Sequence, residues 1–332
     1  MKKIIAYCLD WHLAQSDAFK DLISAPLLGK ATVEFRGWDG ENLELPTDKN
    51  TPLVFCMLPP TEKILKRANR RLFWVPMWDQ AQGYDDAWWN SLPKSLRVIT
   101  FSDQPHKRAV TAGLETLNLR YYKNPEIIAR ATWEQGRVLY YWNRVGMVGP
   151  DFLAKLCDAL NVETLLFKPD IDPRIEENKY YELPKILGEK TKVKTIHTTR
   201  TREEFQRKIS SANIVLAPRL TEGVGMVFLE ALAAGACVIA HDSSTMNEYI
   251  ANTKTGILFN REPAITQGLL SRLRGEQLKH EYAPFLASDQ QPWKQLSKLQ
   301  PEIIGNNAFK MSEQGYESWV ESSAKLINFI AS

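Results

Sequence analysis

The sequence predicts an α/β protein of two domains, each built on its own parallel sheet. The chain has 332 residues, a length that favours two domains. Short β-type runs alternate with helical stretches throughout, which is typical of parallel strands joined by crossover helices. The alternation stops once, between Tyr122 and Gly136, where Asn124-Pro125 interrupts any strong period, and then it starts again. Ligands are therefore expected in a cleft between two Rossmann-like domains, at the carboxyl ends of the strands.

The first domain is predicted over residues 1–123 and is followed by a linker over residues 124–136. Its β-type runs predict strands at residues 3–9, 31–37, 53–58, 72–77, 97–102 and 117–122. Its helical stretches predict helices at residues 14–24, 61–70, 84–92 and 104–113.

The second domain is predicted over residues 137–310 and repeats the same alternation. Its strands are expected at residues 137–142, 163–168, 192–197, 214–218, 237–241 and 256–259. Its helices are expected at residues 151–160, 176–187, 201–211, 225–234 and 245–252. From Ser312, a good N-cap, apolar residues recur at helical spacing, so residues 311–332 are predicted as a terminal helix. That helix packs either on its own domain or across on the first one.

Composition places the chain among soluble globular proteins, because 44% of its residues are apolar and 24% are charged. A net charge of +3 is too small to indicate a nucleic-acid partner. The four cysteines show no C-x-x-C spacing and are expected to be reduced, buried thiols. The apolar run after the first residues stops at Asp10, and Met226–Ala240 is interrupted by Glu230, so neither a leader nor a membrane span is expected. The predicted location is the cytoplasm.

The most informative stretch runs from Ala217 to Ile250. A predicted strand ends there at a short loop with two glycines, Gly223 and Gly225, and a helix begins immediately afterwards. Glycines let a backbone approach a ligand closely, and the free N–H groups of a helix N-terminus favour an anion such as a diphosphate. The carboxylates of Glu222 and Glu230 accept hydrogen bonds only, which suits the vicinal hydroxyls of a ribose or a hexose. The stretch therefore predicts a nucleotide-sugar site.

The order of these features resembles a known signature. Residues 218–225 read P-x3-E-G-x-G, residues 229–240 read L-E-A-x3-G-x2-V-I-A, and Glu248 and the T-G-I-L of 255–258 follow. This run is similar to the donor site of retaining glycosyltransferases of family 4, of the kind that build bacterial surface polysaccharides. The resemblance covers most of residues 137–332 and implies the GT-B fold, in which the terminal helix can cross back to the first domain.

The resemblance implies a role for each carboxylate of the loop and helix. Glu222 would contact the donor sugar, Glu230 would hold the ribose, and the backbone around Gly223, Gly225 and Met226 would cradle the diphosphate. The alternative makes Glu222 a solvated loop residue and Glu230 an exposed helix residue. A carboxylate inside the apolar run Met226–Ala240 is hard to place without a partner or a wet cleft, which favours the first interpretation.

The family also has an arginine, and a lysine five positions later, which neutralise the leaving diphosphate. Arg144 matches the arginine, with an ordinary surface arginine as the alternative, but Gly149 stands at the lysine position. The cations that can substitute for the lysine are Lys168, Arg219 and Arg200. His197 and Thr198 fall where the family binds the base, and uridine is the first expectation for it.

On the acceptor side, the resemblance points to Asp79, because the family often carries a His or Asp near the reacting centre at the corresponding strand end. Capping of the next helix is the alternative role for Asp79. Four further polar residues follow strand ends and are candidates for the acceptor pocket or for caps: Asp10, His12, Ser102 and Asp103.

A basic amphipathic helix is predicted over residues 61–71, with Lys and Arg side chains opposite Ile64 and Leu65. Such a helix can rest on an anionic membrane, which would suit a lipid-linked acceptor and a peripheral contact with the inner membrane. The alternative is the solvated face of a crossover helix. Nearby tryptophans would stack on sugars, meet the membrane interface or form core: Trp74, Trp78, Trp88 and Trp89.

The expected activity is the transfer of a sugar from a nucleotide-diphosphate sugar, UDP-sugar first, to a glycan or lipid-linked glycan, with retention and without a metal or other cofactor. The D-x-D at Asp170-Ile171-Asp172 lies between two prolines and is interpreted as a turn and not as a metal motif. Two alternatives stay open. One is a sugar-nucleotide epimerase of the same architecture. The other is a non-catalytic donor-binding subunit, an alternative that the missing lysine at Gly149 leaves open.

Overall fold

Twelve strands of the computed structural model form two parallel sheets of six within the described residues. The structure describes residues 2–41, 43–67, 71–143, 150–169, 187, 190–196, 202–219, 221–259 and 293–331. The strands are β1 Lys2–Leu9, β2 Ala31–Trp38, β3 Leu53–Cys56, β4 Leu72–Val75, β5 Leu96–Thr100, β6 Thr116–Asn118, β7 Val138–Asn143, β8 Thr164–Pro169, β9 Lys192–Thr195, β10 Ile214–Ala217, β11 Cys237–His241 and β12 Ile257–Phe259.

The helices of the same residues connect and cover these strands. They are α1 Asp10–Gln15, α2 Glu62–Arg67, α3 Trp78–Ala81, α4 Asp86–Ser91, α5 Asp103–Thr111, α6 Pro150–Ala159, α7 Arg202–Ser210, α8 Met226–Ala234, α9 Trp293–Leu296, α10 Pro301–Ser323 and α11 Lys325–Ala331. The chain divides into two compact units. The first comprises Met1–Tyr122, Thr221–Met226 and Gly315–Ser332, and the second comprises Lys123–Leu220 and Val227–Gln314.

The sheet of the first unit has the strand order β2-β1-β3-β4-β5-β6. Its central strands β3 and β4 are buried at every position, as expected for parallel strands covered on both faces. Large aromatic residues continue across the register, where Tyr7 pairs with Phe55 and Phe55 with Trp74. These rings fill the core, so Trp74 and Trp89, both fully buried, are core residues.

The sheet of the second unit has the order β12-β11-β10-β7-β8-β9. Its central strands β10 and β11 are again buried throughout. The side chain of the buried Asn213 ties the start of β7 to the segment before it. Its amide nitrogen donates to the Thr132 and Gly136 carbonyls, and its amide oxygen accepts from the Val138 N–H. The predicted arrangement of two parallel six-stranded sheets is confirmed.

Three predicted helices differ from the structure. The helix expected at 14–24 begins earlier, as α1, and is interrupted after Gln15, before a separate π-helical turn at Lys20–Ser24. The helix expected at 245–252 is only a 3₁₀ turn, Met246–Glu248. Ser312 does not cap a helix, because α10 already begins at Pro301. The Ser312 hydroxyl instead donates to the Ala308 carbonyl of the preceding turn, 2.9 Å away, which satisfies it inside the helix.

The terminal segment 315–331 completes the core of the first unit. The Trp319 ring packs edge-on against Tyr121, with centroids 5.1 Å apart, and lies 6.2 Å from the Phe101 ring. Further along, Phe329 meets Phe73, with centroids 5.8 Å apart. The end of α11 is held by an arginine, since Arg71 Nη1 donates to the Ala331 carbonyl at 2.7 Å. The crossing-back alternative for the terminal helix is therefore the one found.

Cysteine placement agrees with the sequence expectation, since all four thiols are buried and free. Burial raises the pKa of the Cys237 thiol to about 12. Among the described residues no helix is both long and apolar enough to cross a membrane.

Replacing Trp319 by alanine is expected to destabilise the first unit strongly. The side chain is 5% exposed and packs on two aromatic rings, and truncating such a residue costs about 3–5 kcal/mol. At about 2–4 °C per kcal/mol for a domain of this size, the melting temperature should fall by roughly 10 °C. The adjacent Val320→Ala is a matched control, because Val320 is 52% exposed and its truncation should cost about 0.5 kcal/mol or less. Equal melting of the two variants in calorimetry would contradict the packing described.

Candidate active site

The carboxyl ends of β1, β4 and β5 gather several of the predicted residues at one edge of the first sheet, because the strands are parallel. Asp79 lies in the first turn of α3, directly after β4, and is half-buried. It does not cap a helix: the N-cap of α3 is Met77, and α4 is capped by Asp85, whose carboxylate accepts from the Trp88 N–H. The capping alternative for Asp79 is therefore not what the structure contains.

The loop of residues 221–225, called the glycine loop below, belongs to the first unit. Its contacts place it beside this edge of the sheet. A Cβ at Gly223 would lie 2.8 Å from Met77 Sδ, 2.9 Å from Met77 Cβ and 3.0 Å from Asp79 Oδ1. No other residue fits there without displacing a neighbour. The side-chain amide of Gln82 adds a hydrogen bond of 2.9 Å to the Thr221 hydroxyl. Asp79 is thus placed beside the loop that carries the half-buried Glu222.

His12 lies at the same edge, in α1, directly after β1. Burial lowers the pKa of its imidazole below the ordinary value of 6.5, while the charge of Asp79 acts in the opposite direction. Its Nδ1 is buried and has no hydrogen-bond partner in the described part of the chain. The imidazole is therefore favoured in its neutral form, which can both donate and accept a hydrogen bond.

The other candidates at this edge have structural contacts. The Asp10 carboxylate packs onto the backbone of Gly37, where any Cβ would collide with its Oδ1. Asp103 forms an ion pair with Arg120 at 2.9 Å and accepts from the Asn118 amide at 3.3 Å. Ser102 is the N-cap of α5 but makes no side-chain capping bond.

A buried lysine, Lys168, lies near the carboxyl ends of β7 and β8 in the second unit. Lys168 pairs in register with Trp142, and its Nζ lies 3.4 Å from the centroid of the Trp142 ring. Lys168 is 8% exposed, so the indole face supports a charge that is largely withdrawn from water. Trp142 was not singled out in the sequence, although its position at a strand end beside β8 was a usable signal. Four predicted residues, Arg144, Gly149, His197 and Thr198, lie outside the described residues, as does Arg200.

Helix α8 follows the glycine loop directly. Strand β10 ends at Ala217, the half-buried Arg219 follows, and Gly225 adopts φ +81° immediately before the helix begins at Met226. A positive φ is open to glycine at little cost, so the sequence supplies the residue that the turn requires. The backbone can therefore enter the helix sharply at this point.

Glu230 lies in the second turn of α8 and is 6% exposed, among residues that are buried from Phe228 to Ala234. It is therefore not an exposed helix residue. A buried carboxylate needs hydrogen-bond donors or a charge partner to offset its desolvation. The Glu230 carboxylate thus lies in an otherwise apolar stretch of the helix, as the sequence predicts.

Buried polar side chains also follow β11 in the second unit. His241, Ser243 and Thr245 are 2%, 6% and 0% exposed, and Glu248 follows in a half-buried position. The first three were not predicted as site residues from the sequence, although polar residues directly after the apolar run of 237–240 signal a strand end. Within the described ranges no group of three or more His, Cys, Asp or Glu residues can hold a metal ion, and Asp170-Ile171-Asp172 lies outside those ranges.

A model of the family described as Glycosyl transferases group 1 matches residues 174–283, about a third of the chain. The matched stretch contains β10, the glycine loop and α8, and therefore both Glu222 and Glu230. A search of curated protein sequences finds no relative of this chain.

Several solved structures share the fold over the whole chain. A sucrose-phosphate synthase from Thermosynechococcus elongatus is 13% identical, with a TM-score of 0.63 over 100% of both chains. A glycosyltransferase from Rickettsia africae is 13% identical, with a TM-score of 0.60 over 99% of this chain and 98% of that one. HepE from Anabaena, in complex with UDP and glucose, is 14% identical, with a TM-score of 0.58 over 99% of each chain. These likenesses show the GT-B fold, and with the family match they support a glycosyltransferase.

Replacing Gly223 by alanine is expected to lower stability by about 1–3 kcal/mol, since the added methyl overpacks against Met77 and Asp79. The double variant Met77→Ala/Gly223→Ala should lose somewhat less than the sum of the two single changes, because alanine at 77 removes the 2.8 Å contact with Sδ while the 2.9 Å contact with Cβ remains. Thermal unfolding of the four proteins measures this coupling. Strictly additive losses would show that the loop does not rest on Met77.

Acid should destabilise the protein through His12. The folded-state pKa of His12 is lowered, so below about pH 6.5 the unfolded chain binds a proton that the folded chain resists, and stability falls as pH falls through that window. His12→Asn should flatten the fall in melting temperature between about pH 7.5 and about pH 5, the range in which a histidine titrates. His106→Asn, a half-buried histidine of the same unit, is the control. An unchanged slope in His12→Asn would contradict the assignment.

Proposed function

We propose that the protein is a retaining glycosyltransferase that moves a sugar from a nucleotide-diphosphate sugar, UDP-sugar first, to a glycan or lipid-linked glycan. The proposal rests above all on the burial of the Glu230 carboxylate. This carboxylate lies on a helix that begins directly after the glycine loop, inside the stretch that matches the group 1 glycosyl transferase model. Its burial excludes a solvent-exposed role for the Glu230 side chain.

The donor is held by groups of different chemistry. Glu230 accepts hydrogen bonds from the ribose hydroxyls, and Glu222 accepts them from the hydroxyls of the donor sugar. The backbone N–H groups at the start of α8, reached through Gly225, bind the diphosphate, which the positive end of the helix dipole stabilises. The choice of UDP is supported by HepE and by a pneumococcal O-GlcNAc transferase, since both structures were solved with UDP and a sugar.

The cation that family 4 enzymes carry at the position of Gly149 is supplied by Lys168. Its ammonium is already withdrawn from water over the Trp142 ring, so little solvent has to be displaced when a diphosphate binds. Arg144 and Arg219 add charge to the same leaving group. Stabilisation of the departing diphosphate by fixed cations lowers the barrier without requiring a metal ion.

In a transfer that retains the anomeric configuration, the acceptor hydroxyl attacks the donor sugar from the same face that the diphosphate leaves. The departing diphosphate oxygen then takes the proton of the attacking hydroxyl, and the protein contributes positioning and charge stabilisation. Asp79 lies beside the glycine loop and orients the acceptor hydroxyl or the donor sugar at the reacting carbon. Transfer should continue in EDTA, and proton NMR of the product should show the anomeric configuration of the donor.

Glu230→Gln should weaken UDP binding about 10- to 100-fold, because a charge-assisted hydrogen bond to the ribose contributes about 1.5–3 kcal/mol. For the wild type, UDP at 100 times its Kd should add roughly 2.7 kcal/mol of stability. Thermal-shift titration with UDP, GDP, ADP and dTDP measures both effects. Removing one ribose hydroxyl, with 2′-deoxy-UDP, should cost the wild type more affinity than it costs Glu230→Gln.

Glu302→Gln is the matched control, since Glu302 is exposed on α10 and should respond to UDP as the wild type does. If none of the four nucleotides stabilises the wild type, the donor site is wrong. Turnover of UDP-glucose with and without a glycan acceptor then separates the activities. An epimerase interconverts UDP-sugars without acceptor, and a non-catalytic subunit binds UDP but turns over neither substrate.

A further inference from the structure

Three aromatic rings form a row beside the carboxyl end of β1 in the first unit. The Trp11 indole meets the His12 imidazole edge-on, with centroids 5.4 Å apart and ring planes 68° apart. His12 packs in turn on Phe19, with centroids 5.0 Å apart. Phe19 is 3% exposed whereas Trp11 is 53% exposed, so the row runs from the core to the surface. The buried end of the row holds the exposed indole in a defined orientation.

An indole held in this way is a preorganised stacking surface. Tryptophan has a large apolar face and only two side-chain torsions, so little conformational entropy remains to be lost when a ligand stacks on it. Trp11 follows a strand of a parallel sheet at its carboxyl end, which is where ligands of such sheets bind. The exposed face of the Trp11 indole therefore lies at the edge of the sheet where ligands of this fold class bind.

Polar groups connect the indole to the glycine loop. His12 has a buried Nδ1 without a hydrogen-bond partner among the described residues, and the charge of Asp79 reaches its imidazole. Asp79 Oδ1 in turn would lie 3.0 Å from a Cβ at Gly223, the residue next to Glu222. Trp11, His12 and Asp79 thus follow one another toward Glu222, the carboxylate assigned to the donor sugar.

An apolar ring face with hydrogen-bonding groups at its edge is the chemistry that recognises a pyranose, whose C–H face stacks while its hydroxyls donate and accept. We infer that Trp11 and His12 form the acceptor subsite, in which the terminal hexopyranose of a glycan stacks on the Trp11 indole. The inference rests on the proposed function and narrows its acceptor to a pyranose-ended glycan. Trp11 is then a specificity-determining residue, and His12 both orients it and binds a hydroxyl through Nε2, because its Nδ1 is buried.

The test is saturation-transfer NMR on the full chain with saturating UDP and three probes: methyl β-D-glucopyranoside, methyl β-D-galactopyranoside and methyl α-D-mannopyranoside. At least one probe should bind the wild type, with the strongest transfer to the protons of one C–H face. Trp11→Ala should weaken that binding about fivefold or more, and Trp11→Phe, which keeps an aromatic face, by about twofold or less. His12→Phe keeps the ring row and removes the nitrogens, so it should keep the face pattern with weaker binding.

Leu28→Ala is the control for loss of exposed apolar surface, because Leu28 is 84% exposed in the same unit, and it should bind the probe like the wild type. The inference is overturned if Trp11→Ala binds the probes as the wild type does, or if the wild type binds none of them while UDP still stabilises it. It is also overturned if Trp11→Ala loses only binding to phosphatidylcholine–phosphatidylglycerol vesicles, which would assign Trp11 to a lipid surface. If UDP fails to stabilise the wild type but probe binding depends on Trp11, the sugar subsite stands and the proposed function fails.

Discussion

Parallel pairing of the strands is the constraint on which the rest of the structure depends. Because every strand of a sheet runs in the same direction, the residues that follow the strands meet at one edge, however far apart they are in sequence. In the first unit this edge holds His12 after β1 and Asp79 after β4. In the second unit the corresponding edge holds Lys168 near the end of β8 and His241 at the end of β11. Helices must cover both faces of such sheets, which explains why the central strands are uniformly apolar.

Close backbone approach is the second organising feature, and it depends on glycine. Gly223 leaves room for Met77 and Asp79, and Gly225 takes a positive φ that starts α8. A larger residue at either position would move the loop that carries Glu222. The two glycines of this stretch are therefore required by contacts and torsions of the fold.

Buried charge distinguishes this protein from a generic pair of α/β units. Glu230 lies inside an otherwise apolar helix, and Lys168 is withdrawn from water over an indole ring. Each arrangement costs free energy unless hydrogen bonds or opposite charges offset it. In the proposed donor site, a nucleotide-diphosphate sugar would add hydroxyls as partners for the carboxylate and phosphates as partners for the ammonium.

The sequence by itself determined the two parallel sheets, most of the strand positions and the glycine loop with its two carboxylates, although the strand expected at 117–122 is only Thr116–Asn118. These features depend on local periodicity, apolar runs and glycine torsions, all of which can be recognised within a few residues of the chain. It could not determine that the terminal helix begins at Pro301. Ser312, which the sequence suggested as the N-cap, lies inside that helix, and its hydroxyl donates to the Ala308 carbonyl. Only the tertiary structure decided that the Trp142 ring lies under the Lys168 ammonium, that Asp79 lies beside Gly223, and that the His12 ring meets Trp11 on one side and Phe19 on the other. Those contacts join separate elements or depend on the precise orientation of rings, and no local pattern in the chain encodes such distances.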